Sequence, residues 1–231
     1  MQNFSRFVKI KTLKPDNTVS YKRITIFNED LAKRKFFQKI RARINSINYL
    51  PARHYLNSLC GGNKSGAHGV YYKKNKLLGI KIIRSSENRK NGFKSLNKVA
   101  SESNPCWRDA VKEFQILRQV SPSKITPLPY AVKPVKIFNM WHPAIFMEHI
   151  WGREILNYFK YNHISCEKCV KLENKVEKLA KILENKYGIK HCDYAGHNVI
   201  IQSRCNKKGH KKVTKIRIID FAKIIDIKEW K

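Results

Sequence analysis

Acidic residues are scarce in this chain of 231 residues, which has 17 Asp and Glu against 48 Lys and Arg and a formal net charge of +31. A positive charge of this size attracts acidic proteins and the phosphates of nucleotides, nucleic acids and membrane surfaces. The basic residues are spread almost evenly, as a preference for lysine at solvated positions would also produce. Nucleic-acid binding is therefore one interpretation of the charge, and plain solvation is the other.

Long apolar runs are also missing, and the polar start MQNFSRFVK has no apolar signal region behind it. A membrane-spanning helix needs about 20 predominantly apolar residues, and no stretch of the sequence approaches that length. We therefore expect an intracellular protein without a membrane span, with the cytoplasm favoured over the nucleus or a virion. The oligomeric state stays open.

The cysteines do not form the dense framework of a small secreted domain. They are Cys60, Cys106, Cys166, Cys169, Cys192 and Cys205. Cys166 and Cys169 form a C-x-x-C pair just after His163, which admits a zinc or redox site as a minor alternative. A structural zinc site needs a second ligand pair at a defined spacing, and none is evident, so we expect free thiols.

The rest of the composition is that of a folded protein, with 42% apolar residues and no internal repeats. Residues 6–26 predict a β-hairpin around turn residues at 14–17. A helix is expected to follow, with Asn28 as its N-cap. Its apolar stripe would be Leu31, Phe36, Ile40 and Ile44. The basic residues between them indicate a helix that binds phosphates or, more commonly, a docked helix with its charges in water.

Two further helices have clear boundaries in the sequence. Asn104 and Pro105 form an N-cap and first-turn pair for a helix that runs to about Val120. A second helix is expected to begin near Ser165, with apolar residues every three or four positions, and to end at Gly188.

Several residues suit phosphoryl transfer, which needs groups that hold and orient a triphosphate. Gly66 and Gly69 lie in a turn, where backbone N–H groups can approach phosphate oxygens without interference from a Cβ. Lys81 interrupts the apolar strand LLGIKII, and Glu113 on the following helix is placed to fix its ammonium. Taken singly, each has an ordinary alternative: a tight hairpin, a lysine that points into water, and a surface glutamate.

The segment HCDYAGHN at 191–198 carries the most specific pattern. It contains His191, Asp193 and Asn198, and Asp220 follows 22 residues after Asn198 at the end of another apolar strand. A hairpin that brings two strand-terminal acids and an amide together forms a site for a metal ion and a hydroxyl group.

In this order the motifs resemble those of the protein-kinase-like superfamily. HCDYAGHN resembles the H-x-D-x-x-x-x-N catalytic loop, and Asp220-Phe221-Ala222 resembles D-F-G. GAHGVYYK at 66–73 looks like the Gly-rich loop, GIKI like the strand with the ATP lysine, EFQIL like the helix with its glutamate partner, and IFMEHIWGREI at 145–155 like the hinge. The resemblance implies an α+β, two-lobed protein-kinase-like fold with an antiparallel-sheet N-lobe and a reduced, mainly helical C-lobe.

The same resemblance divides the chain and assigns roles. Residues 1–59 would be an extension made of the hairpin and the basic helix, 60–150 the N-lobe with a polar insertion at 85–104, and 151–231 the truncated C-lobe. ATP and Mg²⁺ are the implied cofactors. The residues implied to bind the nucleotide are Gly66, Gly69, Lys81 and Glu113. Glu148 and Ile150 are implied to bind adenine through their backbone groups.

The implied catalytic residues are Asp193, Asn198 and Lys81. Asp193 would orient the attacking hydroxyl or accept its proton, and Lys81 would contact the α- and β-phosphates. Asn198 and Asp220 would hold Mg²⁺, and His191 would be a scaffold.

The sequence departs from the family at several points. Lys64 stands where the first glycine of the phosphate loop is expected, and Ala195 and Ala222 replace the usual lysine and the D-F-G glycine, as in RIO-type and small-molecule kinases. Only nine residues follow Ala222, so we expect neither an activation segment nor C-terminal helices that dock peptides. A compact kinase rich in Lys and Asn would suit a large DNA virus.

Three hypotheses for the function follow. The favoured one is an ATP-dependent Ser/Thr protein kinase whose protein substrate is acidic or associated with nucleic acid. A small-molecule kinase generally needs an elaborate C-terminal lobe, which we expect to be missing. A catalytically idle kinase-like scaffold that binds nucleic acid or a protein partner has no chemical need for Lys81, Asp193, Asn198 and Asp220 together.

Overall fold

The computed structural model describes residues 25–50, 65–66, 69–73, 77–83, 93–101, 103–194, 196–205, 211–221 and 224–226. Over these ranges the chain is an α+β protein with antiparallel sheets, as the sequence predicts. The predicted hairpin at 6–26 lies outside the described residues except at its end, where Ile26–Phe27 forms strand β1. None of the described helices is long and apolar enough to cross a membrane.

The largest element is a six-stranded antiparallel sheet with the strand order β1-β5-β6-β4-β3-β2. Its other strands are β2 Ser65–Gly66, β3 Gly69–Lys73, β4 Leu78–Ile83, β5 Pro129–Ile137 and β6 Met140–Glu148. A two-residue turn joins β5 to β6 through Phe138 and Asn139, whose φ angles are 47° and 63°. Two positive φ angles in such a turn match the twist of the paired strands, so the hairpin closes tightly.

Helix α1, Lys35–Ser46, covers one face of this sheet. Three of its residues at helical spacing are buried against the sheet: Phe37, Ile40 and Ile44. On the sheet side, Ile80 and Ile82 of β4 belong to the same apolar cluster. Because side chains alternate along a strand, Lys81 between them belongs to the opposite face.

The predicted start of this helix at Asn28 is wrong. The Asn28 side chain donates to the Pro129 carbonyl (2.8 Å) and its backbone N–H donates to the Tyr130 carbonyl (2.9 Å), so the residue is tied to β5 and makes no side-chain cap. A 3₁₀ turn, Glu29–Leu31, follows it. Because α1 begins only at Lys35, Phe37 is the aromatic residue that the helix buries. Phe36, which was expected in the apolar stripe, is 42% exposed.

The other face of the sheet is covered by α2, Leu96–Val99, and α3, Pro105–Val120. The predicted capping of α3 is confirmed, because Asn104 Oδ1 accepts a hydrogen bond from the Cys106 N–H (3.0 Å). Asn104 Nδ2 also donates to the Val99 carbonyl (2.7 Å). Helix α2, which lies within the predicted polar insertion, is thereby tied to the start of α3.

The remaining residues form two helices, α4 Ile155–Asn162 and α5 Cys166–Tyr187, and two small antiparallel sheets. The sheets have the orders β10-β9-β7 and β11-β8. Their strands are β7 Arg153–Glu154, β8 Ile189–His191, β9 Val199–Cys205, β10 Lys211–Ile218 and β11 Ile224–Asp226. Helix α5 ends as predicted at Gly188, whose φ of 71° is left-handed.

One apolar cluster joins these later elements to the six-stranded sheet. Its members include Ile83, Val132, Ile145, Met147, Phe114, Leu117, Leu183, Ile189, Ile218 and Phe221. A backbone hydrogen bond from the Ile218 N–H to the Ile125 carbonyl (2.9 Å) crosses the same junction. The cluster therefore brings β4, α3 and the end of β10 together, and these are the elements that carry the predicted site.

Candidate active site

Lys81 and Glu113 form a buried ion pair between the sheet and α3. The Lys81 Nζ lies 2.7 Å from Glu113 Oε1 and 2.8 Å from Oε2, and the two residues are only 7% and 4% exposed. The strand places Lys81 on the face that α3 covers, and α3 presents Glu113 to it. The ordinary alternatives, a lysine that points into water and a surface glutamate, are therefore wrong.

Asp220 completes this cluster from the end of β10. Its Oδ1 lies 2.6 Å from Lys81 Nζ, and its side chain is 32% exposed, so it lies at the boundary between the buried pair and solvent. The next residue, Phe221, donates its backbone N–H to Glu113 Oε1 (3.2 Å). The φ of Asp220 is 61°, a left-handed conformation that is uncommon outside glycine but that aspartate tolerates better than most residues.

One ammonium faces two carboxylates in this cluster. Burial alone favours the neutral amine, but the attraction of Glu113 and Asp220 outweighs it and raises the pKa of Lys81 above its usual value. Burial, reinforced by repulsion from Asp220, raises the pKa of Glu113 in spite of Lys81. The raised pKa of Lys81 keeps its ammonium charged at neutral pH, between two acidic side chains.

His191, at the end of β8, anchors the loop 191–198 to the segment that bears Asp220. Its Nε2 lies 3.1 Å from the Ile219 carbonyl, and its Nδ1 accepts the Asp193 N–H at 3.2 Å. Since one ring nitrogen accepts, the other carries the proton, and burial lowers the pKa of His191 in agreement with a neutral ring. The ring also packs edge-on against Phe221, with centroids 4.8 Å apart. These contacts are those of a scaffold.

Asn198 links the same loop to the same segment from the other side. Its Nδ2 donates to the Asp193 carbonyl (2.7 Å), and its own carbonyl accepts the Ile219 N–H (2.9 Å). The residue is 4% exposed. Asn198 and Asp220 thus lie at the two ends of the β9–β10 hairpin, as the sequence pattern predicts, and the Asn198 side chain is hydrogen-bonded to Asp193 in the preceding loop.

The donor chemistry of this cluster fits Mg²⁺. Asp220 offers a carboxylate and Asn198 an amide oxygen, and hard oxygen donors are the ligands that Mg²⁺ prefers. Among the described residues no group of three or more His, Cys, Asp and Glu side chains is placed to hold a metal. The protein would therefore supply few ligands, which is usual where Mg²⁺ is bound together with substrate phosphates.

The C-x-x-C pair lies at the start of α5, away from these residues. Cys166 is exposed, Cys169 is half-buried, and both thiols are free. Burial raises the pKa of Cys169, which makes it a weaker nucleophile at neutral pH.

The two predicted phosphate-loop glycines face each other at the end of the β2–β3 hairpin. Gly66 pairs with Gly69, and Gly69 in turn pairs with Ile83 on β4, two residues from Lys81. The hairpin tip between the glycines and Lys64 before it lie outside the described residues. The register places both glycines near one end of β4 but shows no contact between them and the Lys81 cluster.

The predicted adenine segment follows β6. The Glu148 N–H donates to the Leu128 carbonyl (2.8 Å), and the His149 N–H donates to the Leu77 carbonyl (3.1 Å). Among the described residues, none accepts a hydrogen bond from the Ile150 N–H. Of the two predicted positions, Ile150 is therefore the one whose N–H has no hydrogen-bond partner among the described residues.

Sequence reasoning missed an ion pair between a buried arginine and the partly exposed Glu148. Arg217 on β10 donates from Nη2 to Glu148 Oε2 (2.6 Å) and to the Thr126 carbonyl (2.7 Å), and Arg217 is 5% exposed. An arginine within the apolar strand IRIID is the one sequence signal that could have indicated it. The pair ties the last residue of β6 to β10, the strand that precedes Asp220.

No protein-family model matches this chain, and no curated protein is significantly similar to it. The functional interpretation therefore rests on the residues themselves. The structure brings Lys81, Glu113 and Asp220 into direct contact, and it joins Asn198 and Asp193 to them through hydrogen bonds around Ile219.

Proposed function

We propose that this chain is an ATP-dependent phosphotransferase of the protein-kinase-like type that transfers the γ-phosphate to Ser or Thr hydroxyls of a protein. The observation that carries the proposal is the buried Lys81–Glu113 pair whose ammonium also contacts Asp220. Titratable groups with shifted pKa values, packed together at an accessible edge, are typical of functional sites. Phosphoryl transfer needs a cation that holds the phosphates and an acidic residue that holds their metal ion, and Lys81 and Asp220 lie side by side.

Each residue of the cluster has a role in the proposed reaction. Lys81 holds the α- and β-phosphates, and Glu113 keeps its ammonium oriented. Asp193 orients the attacking hydroxyl and accepts its proton, while the Asn198 side chain fixes the loop by donating to the Asp193 carbonyl. Asn198 and Asp220 offer oxygen ligands to Mg²⁺, which when bound neutralises charge on the phosphoryl oxygens.

Adenine would lie against the segment after β6. The N–H of Ile150, which has no hydrogen-bond partner among the described residues, supports this placement, because adenine presents ring nitrogens that accept hydrogen bonds. The ion pair between Glu148 and Arg217 supports it further, since it fixes the end of β6 relative to β10, the strand that precedes Asp220. With adenine and the metal ion held at fixed positions relative to one another, the triphosphate between them would be aligned for transfer.

Transfer of label from γ-labelled ATP tests the proposal. The protein is incubated with Mg²⁺ and either a casein-type protein or small hydroxyl compounds as acceptors. We expect label in the protein acceptor, a rate at least about 100-fold lower for Asp193→Ala, and loss of transfer for Asp220→Asn. Asp109→Asn, an exposed position on α3, is the matched control and should be as active as wild type.

Three results would overturn the proposal in whole or in part. Transfer that persists in Asp193→Ala and Asp220→Asn would assign the activity to a contaminant. A wild-type protein that binds neither ATP nor Mg²⁺ and labels no acceptor would favour a catalytically idle scaffold. Label in the small compounds alone would keep the phosphotransferase chemistry but replace the protein substrate.

A further inference from the structure

The acidic residues are missing from one long stretch around α1. Between Asp30 and Glu87 the sequence has no Asp or Glu, whereas it has 13 Lys and Arg there. The basic residues alone are spread evenly along the chain, but the acids that would neutralise them are not. This is the longest stretch of the sequence without Asp or Glu, and α1 is its described helix.

Three basic residues of α1 form one stripe on the side away from the sheet. Lys35, Lys39 and Arg43 are four residues apart and exposed. Residues four apart in a helix are about 6 Å apart along the axis and turn by only about 40°, so the three side chains lie in a row. The stripe of buried residues beginning at Phe37 occupies the opposite side of the helix. The row therefore faces solvent along the whole helix.

Within the described part of the chain, no acidic side chain neutralises the charges of this stripe. Among the ion pairs of the described residues, none involves a residue of α1. Helix α5 is different, because Lys171 pairs with Glu167 and Lys181 with Glu177 along its surface. The charge of α5 is thus partly balanced within the helix, whereas that of α1 is available to a partner.

Two exposed aromatic rings lie within α1 or just beyond its end. Phe36, within α1, is 42% exposed, and Tyr49, three residues beyond its end, is 64% exposed. The Nζ of Lys136 lies 5.8 Å from the centroid of the Tyr49 ring. Basic side chains interleaved with exposed aromatic rings are the pattern on which single-stranded nucleic acids bind, since phosphates meet the cations and bases stack on the rings.

We propose that α1 and the Tyr49 segment form a surface that binds single-stranded nucleic acid. The surface consists of Lys35, Lys39, Arg43, Phe36 and Tyr49. A membrane is a poorer partner, because a helix that lies in a membrane buries its apolar face in lipid, and the apolar face of α1 is already packed on the sheet.

This surface is separate from the proposed active site. Ile80 and Ile82 belong to the apolar cluster under α1, whereas Lys81 between them contacts Glu113 on α3. The sheet therefore stands between the two sites. Changes on the outer side of α1 should leave phosphoryl transfer unaffected, so the proposal holds or fails independently of the enzymatic one.

Binding of a fluorescein-labelled single-stranded DNA of mixed sequence, followed by anisotropy at increasing NaCl, tests the surface. For the full chain with Lys35→Gln, Lys39→Gln and Arg43→Gln together, we expect at least a tenfold lower affinity. The slope of log K against log salt should fall by about 2, because each lost phosphate contact contributes about 0.7 on single strands. Lys35→Arg, Lys39→Arg and Arg43→Lys together should restore both values.

The matched control removes the same charge elsewhere: Lys168→Gln, Lys175→Gln and Lys178→Gln on the exposed side of α5. An equal loss in both triple variants would overturn the proposal, because it would show that the charge acts diffusely. Tyr49→Ala should weaken binding roughly tenfold with the salt slope unchanged. If Tyr49→Ala has no effect, or if wild type binds duplex DNA or phosphatidylserine vesicles in preference to the single strand, the assigned partner is wrong.

Discussion

At the scale of single residues, Lys81 connects the proposed chemistry to the stability of the fold. Its ammonium is the positive partner of Glu113, which is 4% exposed. Removing one partner of a buried ion pair generally destabilises a protein by about 3–5 kcal/mol, because the other charge is left uncompensated. Removing both partners costs much less when apolar groups fill the space.

Lys81→Met should therefore lower both stability and phosphoryl transfer, and Lys81→Met with Glu113→Leu should recover most of the stability without the activity. Urea unfolding measured beside the transfer assay separates the two effects. Lys112→Met, an exposed position on the same helix as Glu113, should change the free energy of unfolding by less than about 0.5 kcal/mol. A double variant no more stable than Lys81→Met would contradict the proposed pairing.

Lys133 provides a second residue-scale prediction, which concerns pH. The side chain is 1% exposed, and its Nζ donates to the Ile44 carbonyl (3.1 Å) at the end of α1 and to Asn48 Oδ1 (2.9 Å). Burial lowers the pKa of Lys133 to about 8. In the unfolded chain the pKa is about 10.4, so between these two values the unfolded state holds a proton that the folded state has lost.

Stability should consequently rise with pH between about 8 and about 10.4, by an amount on the order of 3 kcal/mol from this one residue. Raising the pH also relieves general repulsion in a basic protein, so the informative quantity is the difference between wild type and Lys133→Met. As the pH rises from about 8 to about 10.4, the unfolding free energy of wild type should increase relative to that of Lys133→Met. A difference independent of pH would mean that Lys133 titrates normally.

At the scale of elements, the start of α3 governs the position of Glu113. Asn104 accepts from the Cys106 N–H and donates to the Val99 carbonyl, so one side chain caps α3 and ties α2 to it. Both bonds are local, and the Asn-Pro signal for the helix start lies in adjacent residues, which is why the sequence predicted this element correctly.

Asn104→Ala should lower the free energy of unfolding by about 1 kcal/mol or more, since the cap is lost together with the bond to α2. Asn104→Asp keeps an acceptor for the cap, and its charge is favourable at a helix N-terminus, so it should be less destabilising than Asn104→Ala. Thermal unfolding of the three proteins provides the comparison. Equal melting temperatures for both variants would indicate that the cap contributes nothing.

At the scale of the whole molecule, one apolar cluster joins the six-stranded sheet to the elements that carry the loop 191–198. The proposed site uses residues from both sides of this junction. We therefore expect unfolding in a single transition that MgATP shifts as a unit, by about 2.7 kcal/mol at a hundredfold excess over Kd. Calorimetry with and without MgATP checks this. Two unfolding transitions, of which MgATP raises the temperature of only one, would show that the site lies on one side of this junction only.

The sequence predicted that Asn198 and Asp220 meet better than it predicted the packing. One hairpin separates the two residues, and the pairing of its strands brings its two ends together. The start of α1 was predicted wrongly because Asn28 is tied to β5, about a hundred residues away in the sequence. Arg217 and its bond to Glu148 were missed for the same reason, since the two residues meet only when β10 packs beside the end of β6.

The sequence by itself determined the α+β class, the ends of α3 and α5, and the types of residue available for phosphate and metal chemistry. These features depend on backbone preferences over a turn or two and on the chemistry of individual side chains. Only the tertiary structure decided that Lys81 is buried between Glu113 and Asp220, and that the stripe on α1 faces away from them. Both outcomes depend on which face of β4 each helix covers, and that choice is made by the burial of apolar surface between elements that are distant in the chain.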